Sequence, residues 1–545
     1  MKRTALTAAL LAPLVLFALL PLAVLVFRGL RSPDAWALLV DPATFSALLG
    51  TFVTSAGAAA IAFGLGLPLG LVLGRTDLPG ARAWRALFAL PAAVPPFIFA
   101  MGWQLLANPR TGLLNTLLHL HVDIYSSAGI AFVLGLSALP LVLLPTLASL
   151  EQVDAAWEEA ARLAGAGPWR PLRDVALPLA LPAAGSGAAL AFLSSASAFG
   201  VPYLLGVTAS PPIPTLTTRI WAQVLLGAHG LDQAGALALW LLVLSTVVLA
   251  LAQRLGKRGR VSLASGKGAR RTRLPLGPSR VAVSAATGAI AAVLVVLPLL
   301  VVVVASLQKN FGTFDTFTTA HWARLSHDTR TLGAFGHSAV LALGTGVIVT
   351  GAGLALAWAR SRLGQPFGAV AWLAAWPYAI PGTVLALGLI LAFSLDTRLV
   401  LFDSVALVLA LMNTSWLLLV AFSVRHLALG LRAARDGLER VDRSLAEAAR
   451  LSGADRLRAF LDGTLPQLRG PLIAGFTLAV LASLTELTMA TLLLPPGTDL
   501  LGTLLFELMS YADPAGAAVL ACAVVAVVLL GQAAIAAAAP RKVAP

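Results

Sequence analysis

The sequence predicts an all-α membrane protein: twelve transmembrane helices as two parallel six-helix repeats, with the N and C termini both cytoplasmic. Three observations carry this. Of 545 residues, 59% are hydrophobic and only 11% charged, with a mean hydropathy of +0.89. Ordinary globular chains are about 45–50% apolar and about 25% charged, so lipid must be the solvent for most of this surface. Apolar runs long enough to cross a bilayer recur along the chain, and a polar segment at 159–178 returns at 447–466. The same composition excludes a soluble enzyme, a disordered tail protein and a nucleic-acid-binding domain.

A spanning helix needs about 20 mostly apolar residues. Such runs lie at 5–27, 46–74, 86–107, 128–150, 177–205, 234–253, 281–306, 337–359, 368–393, 402–424, 471–494 and 516–539. The first follows Lys2 and Arg3, as a signal peptide would. Its apolar run exceeds the about 7–15 residues of a signal core, so it reads as a retained helix.

Orientation follows from the basic residues. With the N-terminus inside and strict alternation, 30 of the 38 lysines and arginines fall in inner segments and 8 in outer ones. Excess lysine and arginine marks the cytoplasmic side, which also accounts for the net charge of +14. The stretch 254–280 carries nine basic residues and no acid, and reads as a solvated cytoplasmic linker touching anionic lipid. The single cysteine, Cys522, leaves no internal disulfide and no thiolate cluster.

The halves on either side of that linker repeat each other. EAARLAGAGPWRPLRDVALP at 159–178 aligns without a gap with EAARLSGADRLRAFLDGTLP at 447–466, eleven of twenty positions identical at a shift of 288. Val153-Asp154 matches Val441-Asp442 at the same shift, and Pro91 and Pro95 match Pro377 and Pro381 at a shift of 286. Parallel repeats of even span number put both copies the same way up, with a pathway between them. Both polar copies lie on the inner side, between the fourth and fifth spans of their half. Glu159 and Arg162, like Glu447 and Arg450, are three apart and share a helical face. Gly165 and Gly453 stand where a helix C′ residue takes positive φ. Pro178 and Pro466 turn the chain into the next span. The expected product is a short helix, a bend, a second short helix and re-entry into lipid: a rigid knuckle on the membrane surface.

Glu-Ala-Ala, three residues, Gly, nine residues, an aliphatic, one residue and Leu-Pro resembles the signature of permease subunits of ABC importers. Copy one matches throughout, with Val175 at the aliphatic place; copy two has Gly463 there. The resemblance implies two type I importer transmembrane domains, 46–253 and 336–535. The rest divides into an N-terminal helix and outer loop (1–45), the basic linker (254–280), and a seventh helix with its outer loop (281–335). It implies that Glu159, Ala160, Ala161, Gly165, Leu177 and Pro178 couple to one protomer of a cytoplasmic ABC ATPase dimer. Glu447, Ala448, Ala449, Gly453, Leu465 and Pro466 would couple to the other. No GxxxxGK[ST] phosphate loop fits around any of the five lysines, so the chain is not expected to be an enzyme and a partner supplies the energy. The expected setting is the bacterial inner membrane, with an extracytoplasmic substrate-binding protein docking on outer loops such as 307–335 and no nucleic acid bound.

Fused two-copy permeases resemble the iron(III) and thiamine importers. PRTGLLN within 101–118, AWPYAIPGTVLALG at 375–388 and LTELTMATLLLPPG at 484–497 are similar to the iron branch, although Thr488 stands where a proline is usual. Ferric iron prefers oxygen ligands, and Glu486 is the acid read as lying inside a span, hence the candidate pathway residue. The alternative for Glu486 is an interfacial acid bonded to Thr485 or Thr488. His119 and His121, two apart, point to different faces of a helix and are not read as a metal site; no metal or cofactor is expected. Ferric iron is thus the expected cargo, with thiamine or another small solute as the alternative. A secondary transporter would need more charge in its spans, and an intramembrane enzyme would need a motif such as HExxH, which is missing from the sequence.

Overall fold

The computed structural model describes residues 9–538 apart from 32–35, 39, 152–162, 164, 166, 168–169, 259–272, 312–315, 364–366, 395–396, 402–403 and 456–457. Among these residues, ten helices are long and apolar enough to cross a membrane: Ala9–Arg31, Pro42–Arg75, Ser127–Leu150, Leu172–Ala196, Gly230–Leu255, Gly277–Ala305, Thr329–Ser361, Ser415–Leu438, Ala459–Leu484 and Pro514–Ala534. In lipid the helix satisfies its own backbone hydrogen bonds, which is why long apolar runs take this form.

Two further apolar segments are broken helices. Ala81–Ala92 and Pro96–Ala107 meet at 98°, and Phe367–Ala379 and Gly382–Phe393 at 107°. The repeated prolines explain both breaks. Pro95 and Pro381 stand at the N-caps of the outer pieces, and Pro91 and Pro377 start a tight last turn of the inner pieces. Proline lacks the N–H that would carry the helix onward, and it pushes the residue before it toward extended backbone. Ile380, just before Pro381, has φ −81° and ψ 137°.

Each broken segment runs along the first helix of the opposite half. Trp84 lies against Gly288 near one end of Gly277–Ala305, and Gly102 against Pro298 further along it. In the other half Val370 and Ala371 cluster with Leu14, and Val384 and Leu385 with Leu22 and Leu25 of Ala9–Arg31. The two halves therefore exchange their first helices. A second correspondence repeats on the rim away from the knuckles. The Thr51 hydroxyl accepts from the Leu216 amide at 2.8 Å, and the Ser338 hydroxyl accepts from the Leu501 amide at 2.8 Å.

Three expectations are corrected. The tenth span is Ser415–Leu438 rather than 402–424. The apolar stretch before it is an antiparallel hairpin, Thr397–Leu401 with Ser404–Leu409, pairing Leu399 with Leu407, so the all-α membrane part carries a small β addition. Short apolar segments with β-branched residues such as Val400, Val405 and Val408 suit strands, and hydropathy alone does not separate the two. The spans after the repeated motif begin earlier than expected, at Leu172 and Ala459. Pro178 and Pro466 thus lie inside continuous helices, each behind a wide turn that does not need their missing N–H.

Candidate coupling face and central cavity

In the second knuckle the helix Arg443–Leu451 starts at Asp442, whose carboxylate accepts from the Ser444 amide at 2.9 Å. The Ser444 backbone N–H, then its hydroxyl, hold that carboxyl below the ordinary aspartate value of 3.8. Gly453 ends the helix with φ +89°. Its amide donates to the Arg450 carbonyl at 3.1 Å, and the Ala454 amide to the Ala449 carbonyl at 3.0 Å, the paired bonds of a Schellman end. Gln467 locks the knuckle to the following helix: its Nε2 donates to the Gly463 and Asp442 carbonyls, and its Oε1 accepts from the Asp442 amide.

Glu447 and Ala448 are exposed and Ala449 is half-buried. Glu159, Ala160 and Ala161 lie outside the described residues. Gly165 has φ +81°, matching Gly453. A β-carbon at either glycine would meet nothing within 4 Å, so backbone conformation, not space, requires glycine at both. Leu163 and Leu451, one shift of 288 apart, are each 90% exposed. Leu177 and Leu465 open the straight part of the next helices, each followed by its proline.

A cavity of about 330 Å³ lies between the halves, where helices break. Its wall includes Pro95, the Ser197–Val201 turn, Tyr378–Ile380 and the Thr485–Thr488 turn. Glu486 is in that last turn, after Leu484 ends its helix. Its Oε1 accepts from the Met489 amide at 3.2 Å, and its Oε2 stands 3.6 Å from Arg425 Nε. Neither Thr485 nor Thr488 is its partner, contrary to one expectation: the Thr485 hydroxyl donates to the Leu481 carbonyl. Beyond the cavity, on the side away from the knuckles, Phe506 of the second half packs among Phe97, Phe199, Tyr203 and Trp221 of the first, with ring centroids 4.7–6.5 Å apart.

The sequence profile of the binding-protein-dependent transport system inner membrane component matches this chain twice, over 66–260 and 348–543. The chain belongs to that family. It is a multi-pass inner-membrane permease component of a binding-protein-dependent ABC importer. It is 30% identical over 237 residues to the molybdenum transport system permease protein of Mycobacterium bovis, covering 43% of this chain and 88% of the relative. A putative 2-aminoethylphosphonate transport system permease protein of Salmonella typhimurium is 30% identical over 235 residues, 40% of this chain and 81% of the relative. A molybdate/tungstate transport system permease protein of Thermococcus kodakarensis is 30% identical over 160 residues, 29% of this chain and 60% of the relative.

Arg425 is the cavity residue of this permease that hydropathy missed. The misplaced tenth span assigned it to an inner loop, whereas it sits in the middle of Ser415–Leu438. The repeat would have found it: moving the fourth run, 128–150, by the shift of 288 gives 416–438.

Proposed function

We propose that this chain supplies both transmembrane halves of the importer, with twelve crossings and both termini cytoplasmic, each bent pair counting as one crossing. Each knuckle couples to one protomer of a separate ATPase dimer, and a binding protein delivers cargo on the opposite face. The observation that carries this reading is the pair Leu163 and Leu451, each 90% exposed beside a glycine with positive φ. An apolar side chain held that far out at two equivalent places suits a partner's cleft.

The cargo we favour is a small oxyanion of the molybdate, tungstate or phosphonate kind rather than ferric iron. Those are the cargoes in the relatives' names. The acid expected to meet iron is already opposed by Arg425. A trivalent cation would find a neutral pair and a guanidinium beside it.

The test is reconstitution in vesicles with the ATPase and binding protein of the same importer. ATP-dependent uptake of molybdate or tungstate is expected, with no ATP hydrolysis by the pure chain. ATP turnover by the chain alone would overturn the importer reading, and uptake of ferric iron but no oxyanion would overturn the cargo.

A further inference from the structure

Among the described residues lining the central cavity, Arg425 and Glu486 are the charged ones, and they face each other with side chains 18% and 13% exposed. We infer that Arg425 receives the anionic cargo at mid-membrane and that Glu486 is its resting counter-charge, displaced when cargo arrives. This rests on the oxyanion reading above and assigns it a site.

The pair is held loosely on the side that matters. A guanidinium has five N–H donors in a planar fork suited to oxyanions. Among the described residues, Arg425 Nη1 donates to the Ile380 carbonyl at 2.8 Å, which anchors the fork to the proline break of the bent span. Its approach to Glu486, 3.6 Å from Nε, is longer than a hydrogen bond. A well-made arginine–carboxylate pair sits at about 2.7–2.9 Å. The charge is therefore balanced while the donors remain under-used.

Glu486 can leave without losing every partner. Its other oxygen already accepts from the Met489 amide at 3.2 Å. An oxyanion entering the cavity would take over the fork, with the hydroxyls of Tyr378 and Thr488 also on the wall, while those of Ser197 and Thr485 already donate to helix carbonyls. Between passages the carboxylate keeps a poorly solvated arginine from standing unpaired, which is costly inside a membrane.

The arrangement exists once. The shift of 288 puts Ser137 and Ala198 of the first half opposite Arg425 and Glu486. A strictly symmetric structural tie would be charged in both halves; a receptor for one anion at a time needs a single guanidinium.

Equilibrium binding of radiolabelled molybdate and of tungstate to the purified chain in nanodiscs tests this, beside uptake in the reconstituted importer. Arg425→Gln should lower anion binding about tenfold or more, and Arg425→Lys should restore part of it. Glu486→Gln should tighten binding about threefold, because the competing charge is gone while size and hydrogen bonding remain. If Glu486→Gln weakens binding as much as Arg425→Gln does, and both lower the thermal midpoint alike, the pair is a structural tie and the inference falls. If the wild type imports an oxyanion and Arg425→Gln imports it equally well, this site is wrong while the oxyanion reading stands. If the wild type imports ferric iron and no oxyanion, both fall.

Discussion

Gly102 and Gly388 hold the same place on the two bent spans, 286 residues apart, and each lies against the backbone of a proline from the opposite half. A β-carbon at Gly102 would stand 2.2 Å from the Pro298 carbonyl oxygen, and one at Gly388 would stand 2.9 Å from that of Pro21. Without hydrophobic drive between helices in lipid, close backbone contact of this kind carries much of the association. Gly102→Ala should therefore lower the thermal midpoint of the purified chain in detergent, by overpacking of about 1–3 kcal/mol. Gly388→Ala should cost less, because its clash is milder. Equal midpoints for both variants and wild type would mean that the exchanged helices do not need this contact.

At the knuckles the argument is conformational rather than steric. Gly165 and Gly453 have φ of +81° and +89° with open space around them. Gly165→Val and Gly453→Val strain the loop by about 1–3 kcal/mol without touching the spans. Uptake should fall in each, while the thermal midpoint stays near wild type. Asn, which tolerates the left-handed region better, should keep more activity than Val at either position. Wild-type uptake in both Val variants would remove the knuckles from coupling.

Leu163→Glu and Leu451→Glu should weaken co-purification of the ATPase without destabilising the chain, because a 90% exposed side chain contributes little to its own fold. Each single variant should lose part of the association and the double variant nearly all of it. Unchanged pull-down by the double variant would leave the exposed leucines without a partner there.

These features differ in how far they could be read from residues alone. In the second knuckle the helix end was legible because its chemistry is local: a glycine that takes positive φ past a short polar helix has a fixed sequence signature, whereas the prolines read as the turn into the next span lie inside continuous helices. The two breaks were marked by prolines repeated at the shift of 286, although hydropathy read straight through them. The exchange of first helices had no such mark, since Gly102 meets Pro298 only through distant packing. Arg425 was hidden for another reason. The leucine- and valine-containing hairpin at Thr397–Leu401 and Ser404–Leu409 is as apolar as a helix, and it drew the expected span away from the residues that form it.

Asp442 makes the second knuckle sensitive to acid. The Ser444 backbone N–H and hydroxyl hold its carboxyl below 3.8, the ordinary value. A depressed carboxyl contributes stability that is present above the unfolded-state value and lost as pH falls through the folded one. Amides of 443–451 should thus be protected from hydrogen exchange at neutral pH and lose protection, after correction for intrinsic rates, only in strong acid below the usual carboxylate range. Asp442→Ala should lower that protection at neutral pH and remove its loss in acid, leaving what the helix's own hydrogen bonds supply. Protection that rises on acidification would reverse the sign and refute the capping role.

The last prediction concerns the seal above the cavity. Phe506 is 5% exposed and comes from the second half, while its ring neighbours Phe97, Phe199, Tyr203 and Trp221 come from the first. Phe97 and Phe199 also line the cavity, so this aromatic layer stands between it and the rim away from the knuckles. Any outward opening of the halves has to part Phe506 from the other rings. Removing a buried phenylalanine side chain costs about 3–5 kcal/mol where the site cannot collapse, so Phe506→Ala should lower the thermal midpoint. It should also let molybdate leak through vesicles that hold the chain without ATP or binding protein, a path the wild type keeps shut. Phe506→Leu, which refills most of the volume, should restore the barrier before it restores full stability. A destabilised Phe506→Ala chain with no leak would make the cluster packing alone and move the outer barrier elsewhere.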